Sequence, residues 1–243
     1  MLSFDDGYRD FLEFALPQLR RRSLPANMNI IPECVLSGRP PWNVLLYDFL
    51  SSVSLQEAIA VELPGLAPLR NEDSTALKAG LGMRLSRFLK QRPAAERGPL
   101  WELFRERYMR GRSFDVTAMM TLHELRSMPG EISLGAHSFS HESMGYESDQ
   151  FFQDDFRRCQ TFFREHLDLP VGIYAFPNGS YRRSQIDWLL AQGVERVLLV
   201  DEKLAPLGKH PVLPRLTFSA DTRQEAVLKG IGFGRRLARP GAD

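Results

Sequence analysis

Ser3-Phe4-Asp5-Asp6-Gly7-Tyr8, at the start of the chain, and His137-Ser138-Phe139-Ser140-His141, some 130 residues later, decide how this sequence is read. Together they offer two carboxylates and two imidazoles to one metal site. Adjacent aspartates at the end of an apolar strand point in different directions because strand side chains alternate, so one can ligate a cation while its neighbour faces a bound water. The histidines are four apart, which puts both rings on one face if the segment turns helically. Imidazole nitrogens suit zinc and similar transition metals. One aspartate with two histidines leaves coordination positions open for water and substrate, the arrangement of a metal-dependent hydrolase.

Working outward, strand and helix signals alternate at both ends of the chain. Residues 1–4 read as the tail of a strand, 10–22 as an amphipathic helix kinked at Pro17, and 26–31 as a second strand. Residues 43–53, 71–91 and 97–109 show helical spacing with charged faces, separated by breakers at Pro64-Gly65, Pro68 and Arg92-Pro93. This predicts one domain over 1–243 with a helical insertion at about 43–117. Thr121 and Glu124 form a capping box for a helix over 121–127, and the strand 131–136 then delivers His137. Residues 148–166 form an amphipathic helix whose Phe152, Phe156, Cys159 and Phe163 make one core stripe. Strands follow at 171–176, 197–200 and 213–218, with helices at 181–192, ended by Gly193, and at 221–231. At least six strands are counted, and the two motifs sit at strand C-terminal ends. That is where an α/β barrel gathers its functional groups.

Bulk properties agree with this frame. With 243 residues, 43% hydrophobic and 25% charged, the chain buries a sizeable core. A net charge of +1 argues against a dedicated nucleic-acid binder, and the runs Arg20-Arg21-Arg22 and Arg235-Arg236 read as solvated helix ends. Cys34 and Cys159 are too few and too far apart for a disulfide framework. There is no apolar run long enough to cross a membrane, and no basic segment followed by an apolar one at the N-terminus. As written the chain reads as cytoplasmic; with an upstream signal segment it would be periplasmic or extracellular.

The motifs resemble those of the polysaccharide deacetylases, the NodB-homology domains of the carbohydrate esterases. That family's first motif is Thr/Ser-Phe-Asp-Asp-Gly, its second His-Ser/Thr-x-x-His, and its third a proline turn, here Tyr174-Ala175-Phe176-Pro177-Asn178-Gly179. The resemblance spans roughly 1–42 and 118–220. It implies an α/β fold, a distorted (β/α) barrel of about seven strands, and a divalent metal, zinc foremost, held by Asp6, His137 and His141. It makes Asp5 the general base and puts the substrate and oxyanion contacts at Pro177 and Asn178. The implied partner is an acetylated carbohydrate, and the implied reaction removes N-acetyl or O-acetyl groups from an amino sugar of a polysaccharide or glycolipid. A non-sugar amide hydrolase, a catalytically degenerate glycan-binding domain and, least favoured, a phosphodiesterase are the alternatives.

Two departures matter. The position that often holds an arginine pairing with the catalytic aspartate is Ala175, and Arg215, on a late strand, is the expected replacement. The family's late Leu-x-His is missing; the late histidine is His210, in a Lys209-His210-Pro211 loop. A branch of the family carries a Tyr-His pair upstream of the first motif, for which this sequence has no room, so an upstream coding segment is expected.

Overall fold

Six short runs of mostly apolar residues pair side by side into one sheet: β1 (Leu2–Phe4), β2 (Ala26–Ile30), β3 (Ile132–Ala136), β4 (Ile173–Ala175), β5 (Arg196–Leu199) and β6 (Val212–Pro214). The computed structural model describes residues 2–67, 78–203, 205, 208–220 and 222–230. Every pairing is parallel and the strands lie in chain order. Parallel neighbours need long crossovers, and helical segments supply them. The helices are α1 (Leu16–Arg21), α2 (Pro32–Ser37), α3 (Trp42–Ser52), α4 (Leu55–Ile59), α5 (Lys78–Lys90), α6 (Ala94–Phe104), α7 (Leu122–Arg126), α8 (Asp149–Phe162), α9 (Arg183–Ala191) and α10 (Arg223–Gly230).

Strand alternation divides the sheet into two unlike faces. Ala26, Met28, Ile30, Ile132 and Tyr174 join Phe152, Phe156, Cys159 and Phe163 of the following helical segment in the main core. The opposite face is polar over its first half, where the register aligns Ser3 with Asn27, Asn27 with Ser133, and Asn29 with Gly135. Its second half is apolar: Ile173, Ala175, Leu198 and Leu213 cluster there. Asn27 and Asn29 are fully buried on this face with their amide N–H groups bonded, although Asn29 Oδ1 has no partner. Asn29 Nδ2 donates to Ser3 Oγ and to Asp5 Oδ1, while Asn27 Nδ2 donates to the Ser133 carbonyl. The sheet curls far enough for Arg215, one residue beyond β6, to donate to Ser3 Oγ on β1 at 3.0 Å. The barrel-like α/β fold is therefore present, with six strands among the described residues rather than about seven.

Differences from the sequence reading have local causes. The last strand stops at Pro214 instead of running to 218, since proline offers no N–H to a ladder. The helix expected over 10–22 is a π turn, Phe11–Ala15, followed by α1 with Pro17 in its first turn, where a missing N–H is least costly. The short helices α2 and α4 carry too few residues to show periodicity; Pro32 at the first position of one and a Ser54–Glu57 capping box on the other are their start signals. The capping box at Thr121 and Glu124 forms as read. The 71–91 helix is seen as α5, its expected start lying outside the described residues. So do Asp221, Ile231 and Arg235-Arg236.

Residues 42–109 build a second hydrophobic cluster in which Leu46, Phe49, Leu50, Leu81, Leu85, Leu89 and Phe104 are buried together. A buried bidentate ion pair between Arg97 on α6 and Glu142 ties these helices to the loop after β3. Among the described residues no helix is long and apolar enough to cross a membrane.

The loop after β3 hangs on one carboxylate. Asp155 of α8 accepts from the Phe139 N–H at 2.8 Å, the Ser140 hydroxyl at 2.9 Å and the Ser138 hydroxyl at 3.2 Å. Its burial raises its pKa to about 6, the hydrogen bonds opposing only part of that shift. A pKa raised on folding gives stability that is present below the unfolded value of 3.8 and is lost as pH climbs through about 6. Chemical denaturation between pH 4 and 6 should therefore show the parent losing on the order of 2–3 kcal/mol that Asp155→Asn does not lose. Parallel profiles for the two proteins would mean that Asp155 titrates normally.

Gly135 has a packing reason to be glycine. A Cβ there would collide with Asn29 Oδ1 and approach Ile173 Cβ at 3.0 Å. Gly135→Ala should lower stability by about 1–3 kcal/mol in a denaturant titration, as overpacked cores do. An unchanged midpoint would show that Asn29 yields freely.

Candidate metal and acid–base site

The expected metal and base residues lie in the turn after β1 and the loop after β3, and two of them, Asp6 and His141, have left-handed backbone. Asp5 and Asp6 follow β1, but their divergence comes from a turn rather than from the pleat: Asp6 has φ 74°, and the Gly7 N–H donates to the Asp5 carbonyl at 3.0 Å. His137 directly follows β3. The segment from His137 to His141 is an irregular loop, not a helical turn, with Ser138 and His141 both at φ 60°. Two left-handed residues bring the rings to 5.2 Å between centroids, the result that helical spacing was expected to produce. Such conformations cost non-glycine residues of order 1–3 kcal/mol each and collect at functional sites.

Asp6, His137 and His141 converge. One ligand atom from each lies within 4.8 Å of the other two. His141 Nε2 is 3.3 Å and His137 Nε2 3.5 Å from Asp6 Oδ1. The His137 Nδ1 faces the Ala175 carbonyl at 2.8 Å, so its proton sits there and Nε2 presents a lone pair. Burial lowers the His137 pKa, with Asp5 and Asp6 pulling the other way, which favours the neutral ring that ligates metals. Burial would raise the Asp6 carboxyl, but His141 and His137 outweigh it and hold it well below the usual range. Asp6 Oδ1 is buried with no hydrogen-bond partner. A buried carboxylate oxygen left unsatisfied between two imidazoles is what a divalent cation would complete, so these residues fit one.

Asp5 has a different setting. Arg215 donates to both of its oxygens at 2.8 Å, and Asn29 Nδ2 donates to Oδ1 at 2.7 Å. Burial works to raise its pKa, yet His137, Arg215 and Asn29 together keep it below the ordinary value. Asp5 Oδ2 lies 3.9 Å from His137 Nε2, so the clamped carboxylate borders the Asp-His-His cluster. Arg215, named from the sequence as the partner of Asp5, thus reaches it from the far edge of the sheet.

Pro177 is buried in the turn after β4, and Asn178, at φ 57°, donates from Nδ2 to Ser143 Oγ at 3.1 Å. The turn therefore packs against the loop that carries the histidines. His210 precedes β6, whereas Arg215 follows it, so His210 lies at the opposite end of the parallel strands from the cluster. Sequence reading missed Asn29, Arg97, Glu142 and Asp155. Asn29 had a signal, since two asparagines in a strand of otherwise apolar residues demand buried partners.

Comparison with known proteins agrees with this geometry. Residues 101–197, which include the second and third motifs but not the first, match the family model for polysaccharide deacetylase. No curated protein matches the chain significantly. Among solved structures, the Streptococcus pyogenes deacetylase PplD in complex with acetate is 14% identical, covering 94% of this chain and 68% of that one, with a TM-score of 0.56. A de-N-acetylase from Aggregatibacter actinomycetemcomitans is 14% identical over 94% of this chain and 73% of its own, with a TM-score of 0.53. IcaB from Ammonifex degensii is 16% identical over 91% and 68%, with a TM-score of 0.52. At these identities the structures show a common fold. The matched segment is thus similar to polysaccharide deacetylase over residues 101–197, and the solved structures share the fold over nearly the whole chain.

Proposed function

We propose that this protein is a metal-dependent hydrolase that removes N-acetyl groups from an amino sugar of a polysaccharide or glycolipid. The observation that carries the reading is the pairing of one carboxylate clamped by Arg215 with a second carboxylate gathered between two imidazoles. In our reading Asp6, His137 and His141 hold the cation, zinc being the ion that suits this donor set. When bound, such an ion polarises a carbonyl oxygen and lowers the pKa of bound water to about 7. Asp5 accepts the proton that the attacking water gives up, which an ionised carboxylate does without further activation. Arg215 and Asn29 hold Asp5 in one orientation, and positioning of this kind separates a base from a mere surface charge. Asn178 and Pro177 shape the wall on which the acetyl group rests. We read the whole chain as one domain, with 43–117 as a helical insertion.

The test separates ligand from base. Asp6→Asn, His137→Ala and His141→Ala should each lose stoichiometric zinc on dialysis, while Asp5→Asn keeps the metal but loses acetate release from acetylated oligosaccharides by about 10²-fold or more. If Asp5→Asn and Asp6→Asn behave alike in both assays, the two roles are misassigned.

Arg215 acts here as a positioning residue. Arg215→Ala should lower kcat by about tenfold or more with little change in KM, and Arg215→Lys should recover part of that loss, since a point charge replaces the bidentate fork only incompletely. Equal activity in Arg215→Ala and the parent would leave Arg215 with a purely structural role.

A further inference from the structure

A cleft of about 480 Å³, within the usual range for small-molecule sites, lies between the helices of the insertion and the loops that follow β3 and β4. One wall carries Ser143, two residues after His141, together with Asn178 and Ser180 of the proline turn. The other wall is α5, which presents Arg87 and Lys90, three apart and so on one helix face. Carboxylates are absent from the lining, so the cleft is cationic. Among the described residues neither the Lys90 nor the Arg87 side chain makes a hydrogen bond or an ion pair.

Cations in the last turn of a helix complement its dipole, and that would suffice to explain an exposed pair. It does not explain Lys90, which is half-buried. Burial draws the Lys90 pKa down and the charge of Asp6 partly restores it, so the ammonium is desolvated and electrostatically close to the Asp-His-His cluster. Asp6 offsets only part of that cost, and an anionic ligand in the cleft would offset more of it.

We propose that this cleft binds an anionic sugar unit, bearing a carboxylate or a phosphate, next to the acetylated residue, with Lys90 and Arg87 as its charged contacts. This inference deepens the deacetylase reading and rests on it for the position of the acetyl group. An acidic glycan would place its anion against α5 while its acetamido group faces Asp5 and Asp6. The helices of 42–109 then act as a specificity element, because the cationic wall comes from them and not from the sheet.

The experiment uses the full chain and two readouts. Calorimetric binding is measured for a neutral N-acetylglucosamine tetramer, for a hyaluronan tetramer carrying carboxylates and for N-acetylglucosamine 1-phosphate, while acetate release is followed separately. The anionic probes should bind about tenfold tighter than the neutral one at low salt and lose that advantage as salt rises. Whether the carboxylate or the phosphate probe leads identifies the source of the anion. Lys90→Gln should remove most of the advantage and Lys90→Arg should retain it. Arg87→Gln, at an exposed position, should reduce it without any risk to folding. Equal or better binding of the neutral tetramer, or an unchanged preference in both Gln variants, overturns the proposal. Anion binding without acetate release from any probe would leave the cleft standing and defeat the deacetylase reading. Acetate release with no charge preference would do the reverse.

Discussion

The contact between Arg215 and Asp5 joins the last described strand of the sheet to its first, and the geometry of the site depends on it. No backbone ladder links β1 to β6, yet Arg215 reaches Ser3 Oγ, both Asp5 oxygens and the Leu199 carbonyl. A partly buried ion pair of this kind is weak evidence for stability, because desolvation of both groups offsets their attraction. Its value is directional. A bidentate fork fixes the plane of the Asp5 carboxylate, and Asn29 fixes it again from β2, so the side chain beside His137 has one orientation.

A second buried pair does comparable work from outside the sheet. Arg97 grips Glu142, the neighbour of His141, in a bidentate contact, and Glu147 in the same loop accepts the Ala94 N–H. The helices of this region have an apolar cluster separate from the main core, and these charged contacts connect them to the loop after β3. Asp155 holds the same loop from the opposite side through Phe139 and Ser140. The loop is thereby held between two helical elements, which is how Ser138 and His141 can remain in left-handed conformations that neither would adopt in isolation.

Much of this was legible in the sequence, and what was not has physical reasons. Strand runs, the capping box at Thr121 and the Phe152–Phe163 stripe were readable because each is a local pattern with a fixed period. Arg215 was found from an absence, the alanine at 175, and the structure brings it to Asp5 across 210 residues of chain. Glu142 and Asp155 were not found because their work is tertiary: each is an ordinary polar residue in sequence, defined only by what it faces. The direction of Asp6 was read correctly for the wrong cause, since strand alternation predicts divergence but a left-handed turn produces it. His210 looked available because it was the last histidine, but the parallel arrangement of the strands puts it at the wrong end.

In our reading Arg215 takes the place of the arginine that the third motif often carries, and the local geometry is compatible with alanine at 175. The contribution of Ala175 to the site is its carbonyl, which accepts the His137 Nδ1–H and so selects the tautomer whose Nε2 faces Asp6. A backbone carbonyl does this with any side chain. The Ala175 side chain points to the concave face, where Ile173, Leu198 and Leu213 leave room for a methyl group in an apolar half-barrel. From position 215, one residue beyond the proline that ends β6, the guanidinium approaches Asp5 along the polar edge formed by Ser3 and Asn29, where the donors and acceptors it needs already stand. Of the two halves of this face, it is the polar one, with Ser3 and Asn29, on which Arg215 meets Asp5.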